Sequence, residues 1–139
     1  MTVDELAELF EGRTRFVEQL AEREYPLATA RDVARTLSDD EKKEVLDAHP
    51  AIGQRGGLSV RSRQEQGDDA DSAVLAELAE LNRAYEDRFG FRFVVFVDRR
   101  PKSEIVPLLR ARLACTREEE LATALDELVS IAEDRWRRG

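Results

Sequence analysis

Phe91-Arg92-Phe93-Val94-Val95-Phe96-Val97 is the stretch whose reading decides the fold class. Aromatic and β-branched residues make it read locally as a strand. A strand needs a neighbour, and no second run of this kind occurs anywhere in the sequence. The stretch is therefore read as a buried extended segment between helices, and the fold as all-α, a bundle of about seven to eight helices by apolar periodicity. Extended backbone with no neighbouring strand leaves amides and carbonyls that side chains, water or a ligand must satisfy.

The flanks support this reading. Before the segment, Val74, Leu75, Leu78, Leu81, Tyr85 and Phe89 recur at helical spacing, with Asp71 or Ser72 as the cap and Gly90 as the stop. After it, Asp98-Arg99-Arg100-Pro101 reads as a turn. A helix follows through Ile105, Val106, Leu108, Leu109 and Leu113, with Pro107 either kinking it or placing its start later. Thr116-Arg117-Glu118-Glu119 is a capping signature for a last helix through Leu121, Leu125, Leu128, Ile131 and Ala132 towards Trp136.

The N-terminal third repeats the pattern. Thr2 caps a helix with Glu5 three residues on; Leu6, Leu9 and Phe10 form its stripe and Gly12 stops it. Phe16, Val17 and Leu20 mark a second helix, interrupted at Tyr25-Pro26. Residues 28–37 are weakly patterned, enough for two turns around Val33, Ala34 and Leu37. Ser38-Asp39-Asp40-Glu41 caps a further helix through Val45, Leu46 and Ala48, ended by Pro50.

The totals bound the function classes. A chain of 139 residues reads as one domain, 1–139; a domain of this size hides about two thirds of its unfolded surface. A net charge of −8 argues against nucleic acid or an anionic membrane as the main partner. The single cysteine, Cys115, excludes an internal disulfide and reads as a small hydrophobe. No metal-ligand cluster, phosphate loop or dinucleotide fingerprint is present, so the expectation is no metal and no cofactor. The acidic start, Met1-Thr2-Val3-Asp4-Glu5, is not a signal peptide, and no apolar run approaches the ~20 residues of a membrane span. The expected location is cytoplasmic.

Chemistry, if any, is expected in residues 49–66, His49-Pro50-Ala51-Ile52-Gly53-Gln54-Arg55-Gly56-Gly57-Leu58-Ser59-Val60-Arg61-Ser62-Arg63-Gln64-Glu65-Gln66. It holds the one histidine of the chain. His49 can move a proton near neutral pH. At a helix C-terminus the dipole favours its imidazolium, suiting a general acid. The plainer alternative is a capping residue. Ser62, Glu65 and Gln66 share a helical face; they read either as a carboxylate to orient His49 with an amide and hydroxyl for a polar substrate, or as a capping motif. Arg55, Arg61 and Arg63 make the stretch locally positive, which would draw a carboxylate substrate.

These residues also carry a resemblance. His49-Pro50-Ala51-Ile52-Gly53, then Ser62-Arg63-Gln64-Glu65-Gln66, then the run from Leu81-Asn82 through Phe89-Gly90-Phe91-Arg92-Phe93-Val94-Val95 resemble the 2-oxo-4-hydroxy-4-carboxy-5-ureidoimidazoline (OHCU) decarboxylase family. The similarity continues through Arg112-Leu113 and Glu120-Leu121-Ala122-Thr123-Ala124-Leu125, covering about residues 41–134. Arg92 departs from the family pattern, standing where many members have proline. The resemblance implies an all-helical, cofactor-free carboxy-lyase that completes urate breakdown to (S)-allantoin, commonly as a homodimer. It implies catalytic roles for His49 and Glu65. Substrate contacts would come from Pro50, Ser62, Gln66 and the segment Phe93, Val94, Val95, Phe96 and Val97. The alternatives are a relative acting on another small ureido or imidazole acid, and a non-catalytic helical interaction module.

Overall fold

The computed structural model describes residues 1–54, 61, 62, 65 and 71–139. Among these residues there are seven helices and no strand: α1 Val3–Phe10, α2 Arg15–Ala21, α3 Pro26–Thr36, α4 Asp39–Asp47, α5 Ser72–Phe89, α6 Lys102–Leu113 and α7 Arg117–Arg138. Arg61, Ser62 and Glu65 also have helical backbone. Gln66 lies outside the described residues.

Local chemistry sets most helix starts. Thr2, Ser38 and Thr116 each make a reciprocal capping box with the glutamate three residues on. Asp71 caps α5, accepting from the Val74 amide at 2.9 Å. One expectation needs correction and one open alternative is resolved. Pro26 does not merely interrupt: it occupies the first turn of α3, where its missing N–H costs nothing, and α3 runs for 11 residues. Pro107 does not delay α6, which starts at Lys102 and carries the proline inside. Pro107 and Ser103 are both exposed, so the carbonyl that loses its donor faces water.

The long α7 runs along α1, α3 and α4, while α5 packs on α6. Leu6, Phe10, Phe16, Leu20, Val45, Leu46, Leu78, Leu109 and Leu128 fill the core between them. Among the described residues no helix is long and apolar enough to cross a membrane.

The extended segment lies in this core with no strand beside it. Side chains do the work of a ladder. The Arg92 amide donates to Asp47 Oδ1 at 2.9 Å, and the Phe96 amide meets Glu127 Oε1 at 3.4 Å. Arg112 Nη1 donates to the Val94 carbonyl at 2.9 Å. Arg100 donates to the carbonyls of Phe96 and Val97. Beneath the segment, Tyr85 packs against Phe89, Phe91 and Phe93, at a centroid distance of 5.2 Å from Phe93.

Arg112 is the anchor of this arrangement. Its guanidinium lies 4.5 Å from the Phe93 ring centroid, and its Nε donates to buried Glu120 at 2.8 Å. The Tyr85 hydroxyl donates to the same carboxylate oxygen at 2.6 Å, and burial pushes the phenol's pKa well up. Removing one member of a buried ion pair strands the other. Glu120→Gln is expected to cost about 3–5 kcal/mol of unfolding free energy in urea titration. Arg112→Met combined with Glu120→Leu should cost less than the two single losses added, since no lone charge remains.

Candidate active site

The Pro50 ring ends the chain's helical run just after α4. The His49 amide donates to the Leu46 carbonyl at 3.2 Å, which turns the side chain inward, where it is buried. Nδ1 lies 3.4 Å from the Val45 carbonyl. That contact favours the tautomer with the proton on Nδ1. Nε2 is buried and has no partner among the described residues.

The charge state of His49 differs from the expectation drawn from the helix dipole. Burial, reinforced by the Arg135 charge, lowers its pKa to about 4. The Glu11 carboxylate and the Val45 carbonyl oppose this, and Arg92 adds to it. A dipole contributes at most about 2 kcal/mol; here desolvation and two cations outweigh it. His49 is therefore a neutral imidazole at pH 7, placed to act as a base and not as a standing acid.

Glu65 is also placed differently from the expectation. Its two carboxylate oxygens take a forked pair of bonds from Arg135, Nε to Oε2 at 2.9 Å and Nη2 to Oε1 at 2.8 Å. Among the described residues no hydrogen bond joins Glu65 to His49. The Arg135 side chain is only 2% exposed. It also donates to Glu11 Oε1 at 2.9 Å, Ser62 Oγ at 3.2 Å and the Leu9 carbonyl at 3.1 Å. The Ser62 hydroxyl donates to Glu11 Oε1 at 2.6 Å. Glu11 reaches this cluster from the C-cap of α1, where its φ is 65°. A left-handed turn costs a non-glycine residue about 1–2 kcal/mol, and the ion pair with Arg135 offsets it.

His49, Pro50, Ser62, Glu65, Phe93, Val94, Val95, Phe96 and Val97 all line one cavity of about 320 Å³. Ile52, Asp98, Arg99, Ile131, Asp134, Arg135 and Arg138 complete it. This lies at the small end of the ~300–1,000 Å³ typical of small-molecule sites. Of the ten site residues expected, Gln66 alone lies outside the described residues. Among the described residues, the amides of Phe93, Val94, Val95 and Val97 have no protein acceptor.

A family model described as OHCU decarboxylase matches residues 1–137. The chain belongs to the OHCU decarboxylase family. It is 28% identical over 144 aligned positions to a 2-oxo-4-hydroxy-4-carboxy-5-ureidoimidazoline decarboxylase of Haloferax volcanii, covering 96% of this chain and 85% of that one. It is 32% identical over 109 positions to a uric acid degradation bifunctional protein of Bacillus sp. strain TB-90, covering 73% of this chain and spanning 21% of that protein's length. Among solved structures it resembles an OHCU decarboxylase crystallised in the presence of (S)-allantoin, with a TM-score of 0.77, 26% identity and 94% coverage of both chains.

Size does not single out this cavity. A hollow of about 480 Å³ lies among Arg31, Lys42, Leu121 and Asp126, and one of about 510 Å³ lies beside Gly53, Leu75 and Asn82. The smaller cavity is distinguished by a buried imidazole nitrogen without a partner, a buried arginine between two carboxylates, and bare amides. No group of three or more metal-ligating side chains occurs among the described residues.

Arg135 and Glu11 were not expected from the sequence. Arg135 carried a usable signal: it continues the buried face set by Leu128, Ile131 and Ala132. An arginine on that face is a buried cation needing acceptors. Glu11 had no such signal, since its place follows from a strained turn.

The histidine has a consequence for stability. Its folded pKa lies below the unfolded value, so the unfolded chain binds the extra proton between about pH 6.5 and 4. Stability should therefore fall as pH drops through that window. The loss should be on the order of 3 kcal/mol at full depth. His49→Gln should remove that component, which urea unfolding of both proteins from pH 7 to pH 4.5 would reveal.

Proposed function

We propose that this chain converts OHCU to (S)-allantoin and carbon dioxide without a cofactor, with all 139 residues forming one catalytic domain. The single observation that carries the reading is the buried His49, whose Nε2 has no partner among the described residues, in the same cavity as the Glu65–Arg135 pair. A cytoplasmic homodimer is the working form that goes with it, resting on the resemblance to a commonly dimeric family.

The substrate has its carboxylate on a hydroxyl-bearing carbon next to a ring C=N bond. When the bond to the carboxylate breaks, its electron pair moves into the C=N, and the ring nitrogen takes a proton from solvent. The imine is an internal electron sink. His49 Nε2 then accepts the hydroxyl proton, and the carbonyl forms. The same imidazolium returns the proton to the ureido-bearing carbon from one face, which sets a single enantiomer. The buried site favours this shuttle, since a histidine whose pKa is depressed releases a proton readily.

The other residues bind and orient. Glu65, fixed by Arg135, accepts from ureido N–H groups. Amides of Phe93, Val94, Val95 and Val97 donate to ring and ureido oxygens, and the family resemblance gives Gln66 a share of the substrate contacts. Apolar Ile52, Phe93 and Ile131 surround the charges with low-polarity wall.

Freshly generated OHCU should decay faster with the protein than alone, followed by absorbance, and circular dichroism should report (S)-allantoin. Unaltered spontaneous decay would sink the assignment. His49→Ala should lower kcat by roughly 10²–10⁴-fold. Glu65→Gln, which weakens the hold on the ureido group, should lower kcat/KM without removing the proton shuttle. The rate needs neutral His49, so its acid limb should lie well below pH 6.5, towards the folded pKa of about 4.

A further inference from the structure

Arg92 sits where the extended segment passes the end of α4. Its Nη1 donates to the His49 carbonyl at 2.7 Å and approaches the Asp47 carbonyl at 3.5 Å. Its own amide donates to Asp47 Oδ1 at 2.9 Å. Its Nη2 lies 3.5 Å from Glu86 Oε1 on α5. The last carbonyls of a helix have no intrahelical donor and carry the negative end of the dipole. Arg92 supplies both a donor and a positive charge there. It therefore joins three elements at one point: the end of α4, the extended wall and α5.

We propose that Arg92 is a positioning residue for His49: its guanidinium and amide fasten the backbone from Asp47 to His49, so the imidazole is fixed against the cavity wall. The mechanical argument is one of reach. His49 holds its ring by one long contact to Val45, so ring placement depends on where its backbone is pinned. Pro50 follows immediately and removes the amide that could otherwise pin the chain beyond it. Arg92 makes the bond that Pro50 cannot.

The second effect is electrostatic. His49 is faced by Arg135 from α7, Glu11 from the end of α1 and Arg92 from the extended segment. Glu65, Asp134 and Arg138 line the same cavity, with Asp98 and Arg99 at the turn. Arg135 is committed to Glu11 and Glu65. Arg92 pairs with Glu86 at 3.5 Å and lies beside the Asp47 carboxylate, and its Nε has no partner among the described residues. Its charge favours the neutral imidazole, as a smaller contribution beside burial and Arg135.

This inference rests on the proposed decarboxylation for its kinetic arm only. The chain has one histidine, so its ring proton resonance reports His49 alone in a tag-free protein. In the wild type it should titrate well below pH 6.5. In Arg92→Met the midpoint should move up, towards 6.5. In Arg92→Lys, which keeps the charge and loses the fork, it should stay near the wild-type value. With OHCU, both variants should lose kcat by about 10–10²-fold, the scale of a displaced catalytic group, with KM nearly unchanged. A merely structural Arg92 would lower thermal stability and leave the titration and the kcat of folded protein untouched. That result in Arg92→Met, or an undiminished kcat in Arg92→Lys should the first not fold, overturns the proposal. If the wild type does not act on OHCU, the substrate reading fails and the titration still decides the role of Arg92.

Discussion

The guanidinium of Arg135 is a full charge almost out of reach of water, and the rest of the site depends on how it is met. An isolated buried ion costs several kcal/mol. Arg135 is met by two carboxylates, a hydroxyl and two backbone carbonyls, drawn from the end of α1 and from the segment of Ser62 and Glu65. That requirement ties the first helix to the last across the chain. It also holds Glu65 in one orientation, and it lays a positive charge near His49 that reinforces burial in keeping the imidazole neutral.

A second buried pair does a related job on the opposite wall. Extended backbone inside a helical core has no ladder to satisfy it. Arg112, held by Glu120 and stacked on Phe93, gives the Val94 carbonyl a donor; Arg100 and Glu127 serve Phe96 and Val97. Burial raises the Glu127 pKa, although the Phe96 amide works against it. The Phe93 ring packs on Tyr85. Side chains meet three carbonyls and two amides of the segment, which leaves the amides of Phe93, Val94, Val95 and Val97 without an acceptor among the described residues. A sheet would have consumed those amides.

Strain collects around these same residues. Glu11, Asp98 and Arg99 are non-glycine residues with positive φ, at 65°, 50° and 63°. Glu11 belongs to the Arg135 cluster, and the other two line the cavity mouth. Each left-handed residue carries a cost on the order of 1–3 kcal/mol that surrounding contacts must offset. For Glu11 the offset is visible as an ion pair with a buried partner.

The sequence by itself determined the helical class, the capped starts at Thr2, Ser38 and Thr116, and the unpaired character of residues 91–97, and it left Asp71 or Ser72 open as the cap that the structure gives to Asp71. These depend on neighbours within a few positions, where a hydroxyl meets an amide or a stripe repeats every turn. The motif around His49, with Ser62 and Glu65, was legible for the same reason, as residue types at short spacing. The protonation state of His49 was not. Its local setting, a helix C-terminus, favours the imidazolium, and only burial beside Arg135 and Arg92 reverses that. Likewise the partner of Glu65 was misread, because Arg135 lies 70 positions away along the chain. Tertiary structure decided which charges meet, since electrostatic environment is set by distance in space and by the exclusion of water, and neither is written in local sequence.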